Sequence, residues 1–159
     1  MKPETETYPK TPGTLGDLLV TALNASERID RARYFADASV WHSPMATRAA
    51  TPVTAVNLTG MVVAVVLELP PEFTNPTPHF FKRCGWSSAL WAIEQATIGN
   101  LRHAHWLLTG RDAPEGLDDV DVAGADFDGG DDYLGWTEFD AFADAVLRPM
   151  ADDLLRRGI

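Results

Sequence analysis

The sequence predicts a mainly α-helical, single compact domain of five or six helices around a buried apolar segment at 54–68, with a long acidic loop at 112–135. Three observations carry this. Apolar residues recur at helical spacing at both ends of the chain. Val53–Leu69, VTAVNLTGMVVAVVLEL, is a long run without a charge until Glu68, and such a run has to be buried. Prolines and glycines punctuate the chain where these periodic segments stop. With 159 residues, 45% hydrophobic and 23% charged, the chain has enough apolar material for one core, which excludes a disordered tail protein.

Residues 1–13 hold several prolines and polar side chains and are expected to form a flexible N-terminal arm, leaving 14–159 as the domain. The arm has no apolar stretch of the kind a signal peptide needs. Thr14 is placed to cap a helix with Asp17 in its first turn. Leu15, Leu18, Leu19, Ala22 and Leu23 mark its inner face. Asn24-Ala25-Ser26 then predicts an interruption, and Ser26 with Glu27 and Asp30 predicts a second start. The expectation is two helices, 15–24 and 27–38. Residues 43–52, small and polar with two prolines, read as loop.

The run at 53–69 has an ambiguous period. Its many valines favour strand, and the internal NLTG could turn a hairpin. A helix that is apolar all round fits equally well. The run is at the lower limit of about 17–25 residues for a membrane span, holds polar Thr54, Asn57 and Thr59, and lacks a cationic flank, so a core element is expected and no membrane association.

Four prolines make 70–78 a loop. A helical pattern returns near Phe80 through Phe81, Trp86, Leu90, Ile93 and Thr97, with Ser87 or Ser88 as a cap. Gly99-Asn100 breaks it, Leu101, Ala104, His105 and Leu108 resume it, and Gly110 stops it. Thr137 is expected to cap the last helix, with Asp140 three positions on. Phe139, Phe142, Ala143, Val146, Met150 and Leu154 form its stripe, Pro149 kinks or restarts it, and Gly158 closes it.

The net charge of −10 is local. From Asp112 to Asp140 there are eleven acids and no Lys or Arg, while the other twelve acids meet all thirteen bases. A chain without a basic footprint is not expected to bind nucleic acid directly. An acidic surface instead suits a protein partner with a basic surface. The partner-binding residues expected on this basis are Asp118, Asp119, Asp121, Asp126, Asp128, Asp131, Asp132 and Trp136.

The chemistry-bearing residues are sparse. There is no phosphate-binding glycine loop, no nucleophile motif and no paired catalytic carboxylate spacing, so the expectation is a protein that is not an enzyme and takes no cofactor. His103 and His105 point about 200° apart on a helix and cannot share a metal. Cys84 follows Lys82-Arg83 without a partner pattern for thiol catalysis, and a single cysteine suits a reducing cytoplasm. Asp126, Asp128, Asp131 and Glu138 resemble an EF-hand loop, but Glu138 falls one position late and the glycine needed at the bend is missing. No metal is expected, and a calcium-binding module is the alternative these residues would support. Of the five tryptophans, most are expected in the core, and an exposed one would mark a partner surface.

Four segments in order, RYFADASVWHSP (33–44), VNLTGMVVA (56–64), LWAIEQATIGNLRHA (90–104) and WTEFDAFADAVLRPMADDLLRRGI (136–159), resemble a group of small uncharacterised proteins of bacteriophages and prophages. The resemblance spans roughly 30–159. It departs where the group has a cysteine and this chain has Asn57, and where the group has an Asp/Arg pair and this chain has Ile93-Glu94 and Ile98-Gly99. It implies a helix at 54–68 and a phage or prophage setting, and it implies no reaction; the localisation expected is the host-cell cytoplasm. Together with the charge map, it suggests a protein-binding inhibitor of a host defence or nucleic-acid-handling complex whose acids imitate DNA phosphates, acting as monomer or homodimer. A phage structural or assembly component is the other alternative.

Overall fold

The computed structural model describes residues 8–28, 82–122 and 136–159, with the backbone alone for 136–138. Every regular element among the described residues is helical, and the protein is mainly α-helical as expected. The central segment 54–68 lies outside the described residues. So do 29–38 and residues 123–135 of the expected acidic loop.

Helix α1 spans Leu15–Arg28. Thr14 caps it reciprocally with Asp17: the Asp17 amide donates to Thr14 Oγ1 at 3.3 Å, and the Thr14 hydroxyl donates to Asp17 Oδ2 at 2.9 Å. The buried stripe Leu15, Leu18, Leu19, Ala22 and Leu23 continues through Ala25 and Ser26. The expected interruption at 24–26 does not occur, and Ser26 starts no second helix. Its hydroxyl donates to the Leu23 carbonyl at 2.8 Å, so the side chain is satisfied inside an unbroken helix. Burial of the continuing face outweighs the weak helix propensity of Asn and Ser.

Lys82–Cys84 is a helical turn that ends at Gly85, whose φ of 79° suits only glycine without strain. Helix α2 then spans Ser87–Thr97. Trp86 is its N-cap and makes no side-chain capping bond, so neither Ser87 nor Ser88 is the cap. Helix α3 spans Leu101–Thr109, and Gly110 stops it in the left-handed region with its amide on the Trp106 carbonyl. These two helices form the most extensive helix pair of the described residues.

The last helical stretch is α4, Trp136–Phe142, then a wide π-type turn, Ala143–Leu147, then α5, Arg148–Arg156. Thr137 lies within α4 rather than capping it. Pro149 has no amide hydrogen, and its ring would clash with the carbonyl four residues back in a regular helix. The chain answers by widening just before it, with the Arg148 amide donating to the carbonyl of Ala143. The wide turn shifts the stripe: Leu147 and Ala151 join Phe139, Ala143, Met150 and Leu154 in the core, while Phe142 and Val146 are only partly buried. The proline expectation holds, and the stripe is corrected by the register change.

The described helices share one apolar core, to which α1, α2, α3 and α5 all contribute. α1 crosses α5 closely at Gly16, where an added Cβ would lie 3.0 Å from the Leu155 amide nitrogen. The Leu15 amide donates to the Ile159 carbonyl at 2.6 Å, joining the start of α1 to the end of α5. Gly158, with φ of 72°, closes α5 as expected. Among the described residues no helix is long and apolar enough to cross a membrane.

Candidate functional site

The first part of the acidic stretch is a strap laid across the turn between α2 and α3. Leu117 and Val122 are buried in the core and anchor it at both ends. Between them the Val120 amide donates to the Gly99 carbonyl at 2.8 Å. Gly99 has a φ of 89°, and an added Cβ would stand 2.0 Å from the Val120 carbonyl oxygen. Only glycine fits there, because both the backbone angle and the close approach exclude a side chain.

Two arginines hold the strap from either side. Arg102 Nη1 donates to the Leu117 carbonyl at 2.9 Å, and Arg157 Nη2 donates to the Gly116 carbonyl at 2.8 Å. The Arg102 amide donates to Asp119 Oδ1 at 3.0 Å. Asp119 therefore supplies, from a distant part of the chain, the carboxylate cap that α3 lacks locally, since Asn100 makes no side-chain capping bond. A carboxylate at the positive end of a helix is favoured electrostatically as well as by the hydrogen bond.

Asp118, Asp119 and Asp121 are all exposed on this strap. Asp118 and Asp121 are brought together with Asp119 on one anchored segment. Asp126, Asp128, Asp131 and Asp132 lie outside the described residues. Trp136 and Glu138 fall in the first turn of α4, at positions where only the backbone is described. The calcium constellation is therefore not assembled from described side chains. Among the described residues there is no group of three or more His, Cys, Asp or Glu able to hold a metal ion.

His103 and His105 differ in their surroundings on α3. His103 is exposed and stacks on Trp106, with ring centroids 6.1 Å apart and planes 11° from parallel. His105 is half-buried, with its ring nitrogen near the Thr109 hydroxyl. Cys84 is half-buried in the turn before Gly85. The tryptophans divide. Trp86 is buried and donates its ring N–H to the Pro9 carbonyl at 2.6 Å, so Tyr8 and Pro9, within the expected arm, are tied to the core. Trp91 and Trp106 are 59% and 51% exposed.

An open cleft of about 280 Å³ lies where the end of α1 meets the wide turn, lined by Ser26, Glu27, Asp140, Ala143, Asp144 and Arg148. Arg148 bridges Glu27 and Asp144 there. With both carboxylates largely exposed and Arg148 half-buried, the bridges contribute less than about 1 kcal/mol each.

Sequence reasoning did not find the anchors of the strap. The signal was present as Leu117 and Val122 interleaved with the acids. The partners, Gly99, Arg102 and Arg157, are too remote in sequence for local patterning to pair them.

No family model matches the chain, and no curated protein or solved structure matches it either.

Proposed function

We propose that the protein is a non-enzymatic binding protein that presents the acids of 112–140 to the basic surface of a host protein. In its sharpest form it inhibits a host defence or nucleic-acid-handling complex, its carboxylates standing where DNA phosphates would. The observation that carries the reading is the anchored strap: Asp118 and Asp121 are exposed between two buried anchors, Leu117 and Val122. Acids on a pinned backbone keep their spacing, so a partner does not have to order them on binding. The eleven acids of 112–140 outnumber the two guanidiniums, Arg102 and Arg157, that lie on the strap, and salt screens their net field over about 8 Å. The resemblance to phage and prophage proteins supports the host-directed setting by association alone.

The test is affinity capture from host lysate at low and high salt, followed by the variant in which Asp118, Asp121, Asp126 and Asp128 are reversed to Lys. The expected result is a partner captured at low salt and lost both in high salt and with the variant. A variant that still captures the same partner would overturn the acidic reading.

A further inference from the structure

We propose that the strap is a latch: residues 116–120 leave the α2–α3 pair as one unit before the helices unfold, and that unit takes the capped first turn of α3 with it. The inference concerns the motion of the strap itself and does not depend on the partner reading.

The strap and the helices it crosses are held unequally. α2 and α3 are regular helices that bury Leu90, Ile93, Ala96, Leu101 and Ala104 in the core. The strap has no regular element and, among its described residues, buries Leu117 and Val122 alone. Residues 118–121 between them are exposed. A segment with few buried apolar contacts and exposed backbone hydrogen bonds opens at lower free energy than the core beside it.

The contacts that close the strap are interlocked. The Val120 amide donates to the Gly99 carbonyl at 2.8 Å, and the same carbonyl accepts the Leu101 amide at 2.9 Å. The Arg102 amide donates to Asp119 Oδ1 at 3.0 Å, while the Arg102 side chain donates to the Leu117 carbonyl at 2.9 Å. α3 therefore takes its cap from the strap, and the strap takes a clasp from α3. A second clasp comes from the end of α5. Arg157 donates to the Gly116 carbonyl at 2.8 Å and, through its other amino group, to Asp153 Oδ2 at 3.3 Å.

These contacts have to be lost together. Asp119 and Val120 are consecutive, with Cα atoms about 3.8 Å apart, so Val120 does not leave Gly99 while Asp119 stays on the Arg102 amide. Gly116 and Leu117, each held by one guanidinium, are only a few residues away on the same backbone. Closed, the latch keeps Asp118 and Asp121 exposed on a pinned backbone. Open, it uncaps α3, frees both guanidiniums and releases the spacing of the acids.

Hydrogen exchange of the full chain, read amide by amide by nuclear magnetic resonance, tests the latch. The Val120 and Arg102 amides are expected to share one protection factor to within about threefold, and to exchange about tenfold or more faster than Ile93 within α2 and Leu107 within α3. Arg157→Met is expected to speed exchange at both Val120 and Arg102 about fivefold or more, with Ile93 and Leu107 unchanged. Arg157 bonds to neither amide, so loosening confined to Gly116 would leave Arg102 as it was. Arg156→Met is the control. Arg156 pairs with the same Asp153 at 3.1 Å and makes no hydrogen bond to a described strap residue, so this variant is expected to leave both amides unchanged. Val120 and Arg102 amides with different protection would overturn the proposal, as would an Arg102 amide that exchanges with Leu107. So would an Arg157→Met variant that leaves Val120 and Arg102 as they are, or an Arg156→Met variant that speeds them as much.

Discussion

Val120 lies across Gly99. Its amide donates to the Gly99 carbonyl at 2.8 Å, and its own carbonyl oxygen sits 2.0 Å from where a Cβ on Gly99 would be. This contact fixes the acidic strap to the turn between α2 and α3. Gly99→Ala has to move the strap and hold an L-residue at a φ of 89°. The expected loss is on the order of 3 kcal/mol or more, combining left-handed strain with the backbone clash. Urea unfolding monitored by circular dichroism reads it directly, and a variant within experimental error of the wild type would show that the strap is not seated on Gly99.

Asp118 and Asp119 are neighbours with different work. Asp119 caps α3 through the Arg102 amide, and no hydrogen bond to another described residue is seen for Asp118. Asp119→Ala is expected to cost about 1 kcal/mol and Asp118→Ala less than about 0.5 kcal/mol. Equal midpoints for the two variants in urea would contradict the cap. For this reason the reversal set proposed above leaves Asp119 in place, so that lost binding is not confused with a loosened helix.

Phe139 is fully buried and Phe142 only partly so. Phe139→Ala is expected to cost roughly 3–5 kcal/mol, with Phe142→Ala clearly milder. Thermal melts of the two variants side by side check which face α4 turns to the core. A larger effect at Phe142 would show that the face is misassigned.

Trp86 and Pro9 tie the chain's beginning to its core through one hydrogen bond. Trp86→Phe keeps much of the apolar volume but leaves the Pro9 carbonyl without this donor. A loss of about 1–3 kcal/mol is expected from the unmet acceptor and the vacated space. Hydrogen exchange and proteolysis near Tyr8 should rise in the variant. Unchanged protection there would show that the bond does not hold the segment.

The sequence by itself determined the helical class and several boundaries. Thr14 and Asp17 start α1, Gly99-Asn100 separates α2 from α3, and Gly110 and Gly158 stop their helices, because capping and positive φ are local matters decided by a residue and its near neighbours. It also located the charge, which is a property of composition. The tertiary structure alone decided that α1 runs through Asn24-Ala25-Ser26, since burial against the core overrides weak local propensity. It alone decided that Trp86 is inside while Trp91 and Trp106 are outside, because helical spacing places residues on faces but does not say which face meets another helix. The anchored strap belongs to the same class. Gly99 and Val120, Arg102 and Asp119, and Arg157 and Gly116 are pairs remote in sequence, and only the packing of α2 and α3 with the core brings them together.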